Sequence, residues 1–161
     1  MLLKLRQRMA SEESGFTLVE LLVVMLIIGL LAAIAIPAFF NQRDKAYDAN
    51  AKEQARTAET AMETYATDNG GVYTSVSPTV LAGIENSLSA TSSTTRPYVS
   101  DAAAAGTGDK GWTLTLTSPK TGNTFTISRD ATTSALTFTC TKAGTAGCPG
   151  SGGGTGTWAQ G

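Results

Sequence analysis

The feature that most constrains this chain is an apolar run from Phe16 to Phe40 in which only Thr17 and Glu20 are conventionally polar. As a helix its roughly 25 residues would extend ~37 Å, more than a ~30 Å hydrocarbon core requires, so the run can cross a membrane once. Leu21 to Ile36 carries no charge, which leaves Glu20 isolated at the entrance to the run. An acid within a spanning helix costs on the order of 2.5–3.5 kcal/mol at the bilayer centre and less towards the interface. Such a residue needs a partner or a task.

The residues around that acid, Gly15-Phe16-Thr17-Leu18-Val19-Glu20-Leu21-Leu22, resemble the cleavage and methylation signature of type IV prepilins and pseudopilins. The resemblance implies cleavage after Gly15, N-methylation of the new N-terminal Phe16 by the same prepilin peptidase/methyltransferase, and a role for Glu20 in filament assembly. Gly29 and Pro37 coincide with the family's helix-weakening glycine and proline, and both are poor in a helix interior on general grounds. A kink or local melting is expected there. An ordinary signal peptide has its apolar core before the cut and loses it, whereas Met1 to Gly15 is mostly polar and the apolar segment would be retained. Lys4, Arg6 and Arg8 would hold this leader in the cytoplasm and place the rest of the chain outside, although Arg43 and Lys45 also follow the run closely.

Of 161 residues, little more than one modest soluble domain remains after the leader and the apolar run. Removing the leader's Lys4, Arg6, Arg8, Glu12 and Glu13 takes 12 basic and 13 acidic residues to nine and eleven, a balance that advertises no nucleic-acid partner.

After Phe40 the pattern becomes amphipathic. Tyr47, Ala51, Ala55, Ala58, Met62 and Tyr65 recur at spacings of three or four and predict one helical face. Arg43, Asp48, Lys52, Glu53, Arg56, Glu59 and Glu63 lie between them as a solvated face, with Asp48 and Lys52 placed for an i,i+4 pair. Asn69-Gly70-Gly71 supplies the stop. Ser77-Pro78 can cap a short helix carrying Leu81, Ile84 and Leu88, and the serine and threonine tract from Ser87 to Thr95 reads as a surface loop. From Gly111 the period changes to two: Trp112, Leu114 and Leu116 alternate with threonines, Phe125 and Ile127 follow a turn, and Leu136, Phe138 and Cys140 form a third strand. The apolar face of this meander needs a cover, which the Met62 and Tyr65 side of the helix can supply.

Cys140 and Cys148 would close a loop of nine residues if bonded, and in the chain-entropy model such a loop contributes roughly 2.5 kcal/mol. The alternatives are two free thiols or half of a metal site, the latter disfavoured because the chain has no histidine. The glycine-rich tail from Gly150 to Gly156 should be mobile unless Trp158 anchors it. Without histidine, serine and cysteine nucleophiles lose their usual base, and no cofactor is expected. The string Gly106-Thr107-Gly108-Asp109-Lys110-Gly111 matches G-x-G-x-x-G, but it follows an alanine run and precedes a strand, the reverse of a dinucleotide fingerprint. Glu59 and Glu63 are paired acids on an exposed face, better suited to salt bridges between subunits than to acid catalysis.

The expected fold is α+β: a long N-terminal helix, transmembrane and then amphipathic, packed against a small antiparallel sheet of about three or more strands. The expected divisions are a leader at 1–15, an apolar helix at 16–40, an amphipathic helix at 41–70, a variable loop region at 71–110, a sheet with its disulfide loop at 111–149 and a glycine-rich tail at 150–161. The resemblance implies a structural subunit of a type IV pilus whose partners are copies of itself, the peptidase, an inner-membrane platform protein and an assembly ATPase. A pseudopilin of a secretion or DNA-uptake machine shares the same N-terminus. A membrane-anchored binding domain that never polymerises is the alternative of another class.

Overall fold

The computed structural model describes residues 16–158, so the leader and Gly15 lie outside the described residues. Helix α1 spans Leu18–Asp68, and two compact units meet in sequence within it, Met1–Phe40 and Asn41–Gly161. In the first unit the helical backbone runs unbroken through Gly29 and Pro37. In the second, α1 ends at Asn69-Gly70-Gly71 as the sequence predicts. Gly70 and Gly71 have φ of 69° and 83°, and the Gly71 N–H reaches the Ala66 carbonyl at 2.7 Å. That bond across a left-handed turn caps a carbonyl the helix would otherwise leave open.

Five strands follow, β1 (Tyr98–Ala105), β2 (Gly111–Thr117), β3 (Thr124–Arg129), β4 (Leu136–Cys140) and β5 (Gly156–Thr157), in an antiparallel meander ordered as in the chain. The register aligns the apolar side chains across it: Ala102, Leu114, Ile127 and Phe138 form one row, and Val99, Leu116, Phe125 and Cys140 another. Both rows join a core with Ala51, Ala55, Ala58 and Met62 of α1. Alanine on the helix face lets the larger sheet side chains approach the helix closely, which is how a single helix covers the sheet. Threonines occupy the opposite face; Thr115 and Thr126, for example, share a hydrogen bond of 3.0 Å.

The 71–110 region, expected to be variable loop, holds the short helix that the sequence predicts and a strand that it does not. Helix α2 (Pro78–Ile84) begins at Ser77, whose hydroxyl accepts from the Val80 N–H, but it stops short of Leu88. Strand β1 is the larger correction, because its alanine-rich run carries no alternation of apolar and polar residues to betray it. Leu88 and Ser89 of the expected surface loop are buried, and the Ser89 carbonyl accepts from the Val99 N–H at the start of β1. The G-x-G-x-x-G string is the turn between β1 and β2, with Thr107–Asp109 as a single 3₁₀ turn.

The tail is anchored by Trp158, which is 2% exposed, donates its indole N–H to the Thr139 carbonyl at 2.8 Å and packs edge-on against Phe125 and Phe138. Gly156 is required in β5, since a Cβ there would lie 2.0 Å from the Pro149 carbonyl oxygen.

Candidate assembly site

Among the described residues, the first unit has no buried apolar core. Every large apolar side chain from Phe16 to Phe40 is exposed, from 46% at Phe40 to 80% at Phe16. The helix that carries them is long and apolar enough to cross a membrane. A helix apolar on all sides belongs in lipid or among other helices.

Its N-terminus is closed by a device the sequence analysis missed. The Thr17 N–H and hydroxyl both donate to Glu20 Oε2, at 2.9 and 2.7 Å, and the Glu20 N–H returns a bond to Thr17 Oγ1 at 3.2 Å. This reciprocal pairing of Thr and Glu three residues apart is a capping box, and Thr-x-x-Glu before an apolar run is its sequence signal. Two consequences follow for Glu20. Its charge sits at the positive end of the helix dipole, where a carboxylate is favoured. Both accepted bonds also fall on Oε2, which leaves Oε1 open to another donor.

The second unit holds a carboxylate in the opposite condition. Asp48, expected on the solvated face beside Lys52, is fully buried instead. Its position three residues before Ala51 puts it on the buried stripe, and three donors meet it there. Thr121 Oγ1 donates to Oδ1 at 2.5 Å, while Asn123 Nδ2 and the Gly147 N–H donate to Oδ2 at 2.5 and 2.8 Å. One acid thereby ties α1 to the β2–β3 turn and to the loop closed by the Cys140–Cys148 disulfide. Gly147 has to be glycine, since a Cβ would come within 2.5 Å of the Asp48 Cβ. Lys52 makes no ion pair with Asp48; its ammonium lies 5.4 Å from the Phe125 ring centre and 5.9 Å from that of Trp158. Burial pushes Lys52 below the usual lysine range, and the charge of Asp48 partly opposes this.

At the other end of the stripe, Glu63 pairs within the chain rather than waiting for a neighbouring subunit. Arg129 Nη1 reaches its carboxylate at 2.9 Å, Trp112 Nε1 donates at 3.2 Å and the Tyr73 hydroxyl at 3.0 Å. Arg129 also donates to the Tyr73 hydroxyl. Arg129 occupies this place because it continues the inward-facing positions of Phe125 and Ile127 along β3. Burial first, and the carboxylate of Glu63 second, push the Tyr73 phenol above its ordinary value. Glu59 is likewise pushed up, by burial and then by Glu63. Among the described residues, no group of three or more acidic, cysteine or histidine side chains gathers that could hold a metal ion.

Residues 11–36 match the prokaryotic N-terminal methylation motif. The chain is 38% identical over 58 residues to the type II secretion system core protein G of Pseudomonas aeruginosa, covering 36% of this chain and 41% of that protein. It is 32% identical over 83 residues to the protein of the same name from Escherichia coli, covering 52% and 54%. With a type IV major fimbrial protein FimA of Dichelobacter nodosus it shares 42% identity over 60 residues, covering 37% and 38%. The chain thus spans about half or less of the length of these curated relatives. No solved structure matches it. The methylation motif, the named relatives and a long N-terminal helix packed on an antiparallel sheet converge, and over part of its length the chain is similar to type IV pilins and pseudopilins.

Proposed function

We propose that this chain is the structural subunit of a type IV pilus, made as a single-pass protein of the cytoplasmic membrane and then built into a filament through its N-terminal helix. The observation that carries the reading is the exposed apolar surface of the first unit with one acid at its end, a surface that only lipid or other helices can cover. Prepilin peptidase cleaves between Gly15 and Phe16, and its methyltransferase activity modifies the Phe16 amine. The platform protein and the assembly ATPase then extract subunits from the membrane. Gly29 and Pro37 let the helix yield during that transfer.

In the filament, Glu20 pairs with the Phe16 amine of a neighbouring subunit. The Thr17 bonds occupy Oε2, so Oε1 can accept the cation without opening the capping box. At ~4 Å and an effective dielectric near 20 the attraction is on the order of 4 kcal/mol, enough to offset much of the desolvation and to penalise a subunit docked in the wrong axial register.

The second reading is a pseudopilin. It draws on the match to core protein G of Escherichia coli, which runs over 83 residues. Expression of the chain as sole subunit with its peptidase and assembly ATPase separates the two. Long surface filaments whose subunits begin at methylated Phe16 support the pilin. Processed protein that forms only short, envelope-confined filaments supports the pseudopilin. Processed protein that remains in the membrane without polymerising supports an anchored binding domain.

A further inference from the structure

A cleft of about 410 Å³ lies between α1 and the loop that precedes β1, and neither the family nor the assembly reading gives it a use. The volume falls within the range of small-molecule sites. Tyr47, Asn50, Glu53, Gln54 and Thr57 line it from the helix, and Arg96 from the loop. One of these side chains holds a buried orphan atom, and two are exposed charges with no ion-pair partner among the described residues. Gln54 Oε1 is shut off from solvent with no hydrogen-bond partner, and it is the sole such buried side-chain atom among the described residues. Arg96 and Glu53 line the same cleft without pairing with each other, and neither has an ion pair elsewhere among the described residues.

An orphaned buried acceptor costs free energy, and the cost is relieved by any group that brings it a donor. The terminal torsion of glutamine is broad, so Gln54 can turn its amide towards a ligand at little expense. The ligand must donate to Gln54 and Glu53, accept from Arg96 and Asn50, and carry no net charge, because the cleft's own two charges already balance. A sugar meets these demands. Each hydroxyl both donates and accepts, and the apolar face of a pyranose ring suits the aromatic ring of Tyr47. We propose that this cleft is a carbohydrate-binding site for a neutral hexose or N-acetylhexosamine, with Gln54 and Arg96 as its principal hydrogen-bonding residues. The site belongs to the second unit and does not depend on whether the chain polymerises into a pilus or a shorter filament.

The test uses mature full-length protein in dodecylphosphocholine micelles, a detergent without sugar. Methyl β-galactopyranoside, methyl β-glucopyranoside and N-acetylglucosamine are each titrated against the side-chain amide resonances of Asn50 and Gln54. At least one should give a saturable shift at both amides. Gln54→Leu and Arg96→Ala should each weaken the binding about tenfold or more, the loss of one hydrogen bond to a charged or buried group. Unchanged thermal unfolding of both variants shows that the loss belongs to the site. Should Gln54→Leu fail to fold, Arg96→Ala at the exposed rim carries the test alone. Absence of a saturable shift with all three probes overturns the proposal. So does binding of the zwitterion glycylglycine in place of the sugars, or sugar binding that neither variant weakens.

Discussion

The two compact units treat a carboxylate in opposite ways. Glu20 stands at the end of a helix with no core, satisfied on one oxygen by Thr17 and open on the other. Asp48 lies under the sheet with both oxygens engaged, by Thr121, Asn123 and Gly147. The contrast extends to everything around them. From Phe16 to Phe40 every large apolar side chain is exposed, while Leu114, Leu116, Phe125 and Ile127 are completely buried. The first unit therefore offers its apolar surface to other molecules, and the second buries its own. Substitutions in one should change assembly and leave folding alone, and substitutions in the other should do the reverse.

Glu20→Gln tests that division with the largest expected effect. Glutamine keeps the shape and can still accept from Thr17, so membrane insertion and cleavage after Gly15 should survive. The charge proposed to fix axial register is lost. With that variant as sole subunit, filament yield should fall at least about tenfold, in keeping with an attraction of a few kcal/mol. Denaturation of the second unit should be unchanged. A normal filament yield removes the proposed pairing with Phe16, and loss of cleavage reassigns Glu20 to recognition by the peptidase.

Asp48→Ala should do the opposite. It strands the Gly147 N–H and leaves the Thr121 hydroxyl and the Asn123 amide only their longer bonds to Ser118 Oγ and the Thr145 carbonyl, and a loss of about 3 kcal/mol is expected in chemical denaturation. The proposed processing at Phe16 lies in the other unit and should proceed. Equal stability of wild type and variant would mean that water replaces the carboxylate and that the acid does not tie the loops to the helix.

These two acids also show what could be read in advance. The apolar run and its isolated glutamate were legible because hydropathy is a property of consecutive residues, and no tertiary contact is needed to recognise it. The same holds for the alternation in β2 and β3 and for the glycines that end α1. Asp48 was illegible for the converse reason: its burial depends on Thr121, Asn123 and Gly147, all distant in sequence, and at the level of composition it is one more charge on a charged face. Strand β1 escaped because Ala102 to Ala105 has no polar alternation, and its pairing is imposed by Leu114 to Gly111 across the turn. The Thr17 cap was within reach, since Thr-x-x-Glu is a local pattern, but the membrane cost of Glu20 drew attention away from the hydrogen bonds it could make with its own helix.

The disulfide sharpens the comparison at an intermediate level. Replacing Cys140 and Cys148 together by serine opens the loop that delivers the Gly147 N–H to Asp48. The chain-entropy cost is roughly 2.5 kcal/mol, to be read as a lower denaturation midpoint with the slope little changed. Asp48→Ala combined with the serine pair should lose less than the two separate losses together, because the disulfide acts partly through the Asp48 contact. Full additivity would separate the two devices.

The smallest effect belongs to the Tyr73 cluster. In the folded chain the phenol is held protonated above its ordinary range, by burial first and by the neighbouring Glu63 carboxylate second, while Arg129 pulls the other way. A raised folded-state value means that the folded chain keeps the proton when the unfolded chain has released it, so this contribution to stability is fully present below about pH 10. It is lost as pH rises from there through the folded-state value. The slope from one group cannot exceed about 1.4 kcal/mol per pH unit. Stability measured by denaturation should accordingly fall between neutral pH and about pH 11, and Tyr73→Phe should flatten that fall at a modest cost near neutrality, where the bond to Glu63 is missing. The packing of Tyr73 edge-on to Trp112 is retained by phenylalanine, so the core stays filled. An identical alkaline slope in both proteins would assign the pH dependence to groups outside this cluster. Assembly should be indifferent to the substitution, since Glu63, Tyr73, Trp112 and Arg129 satisfy one another within the second unit.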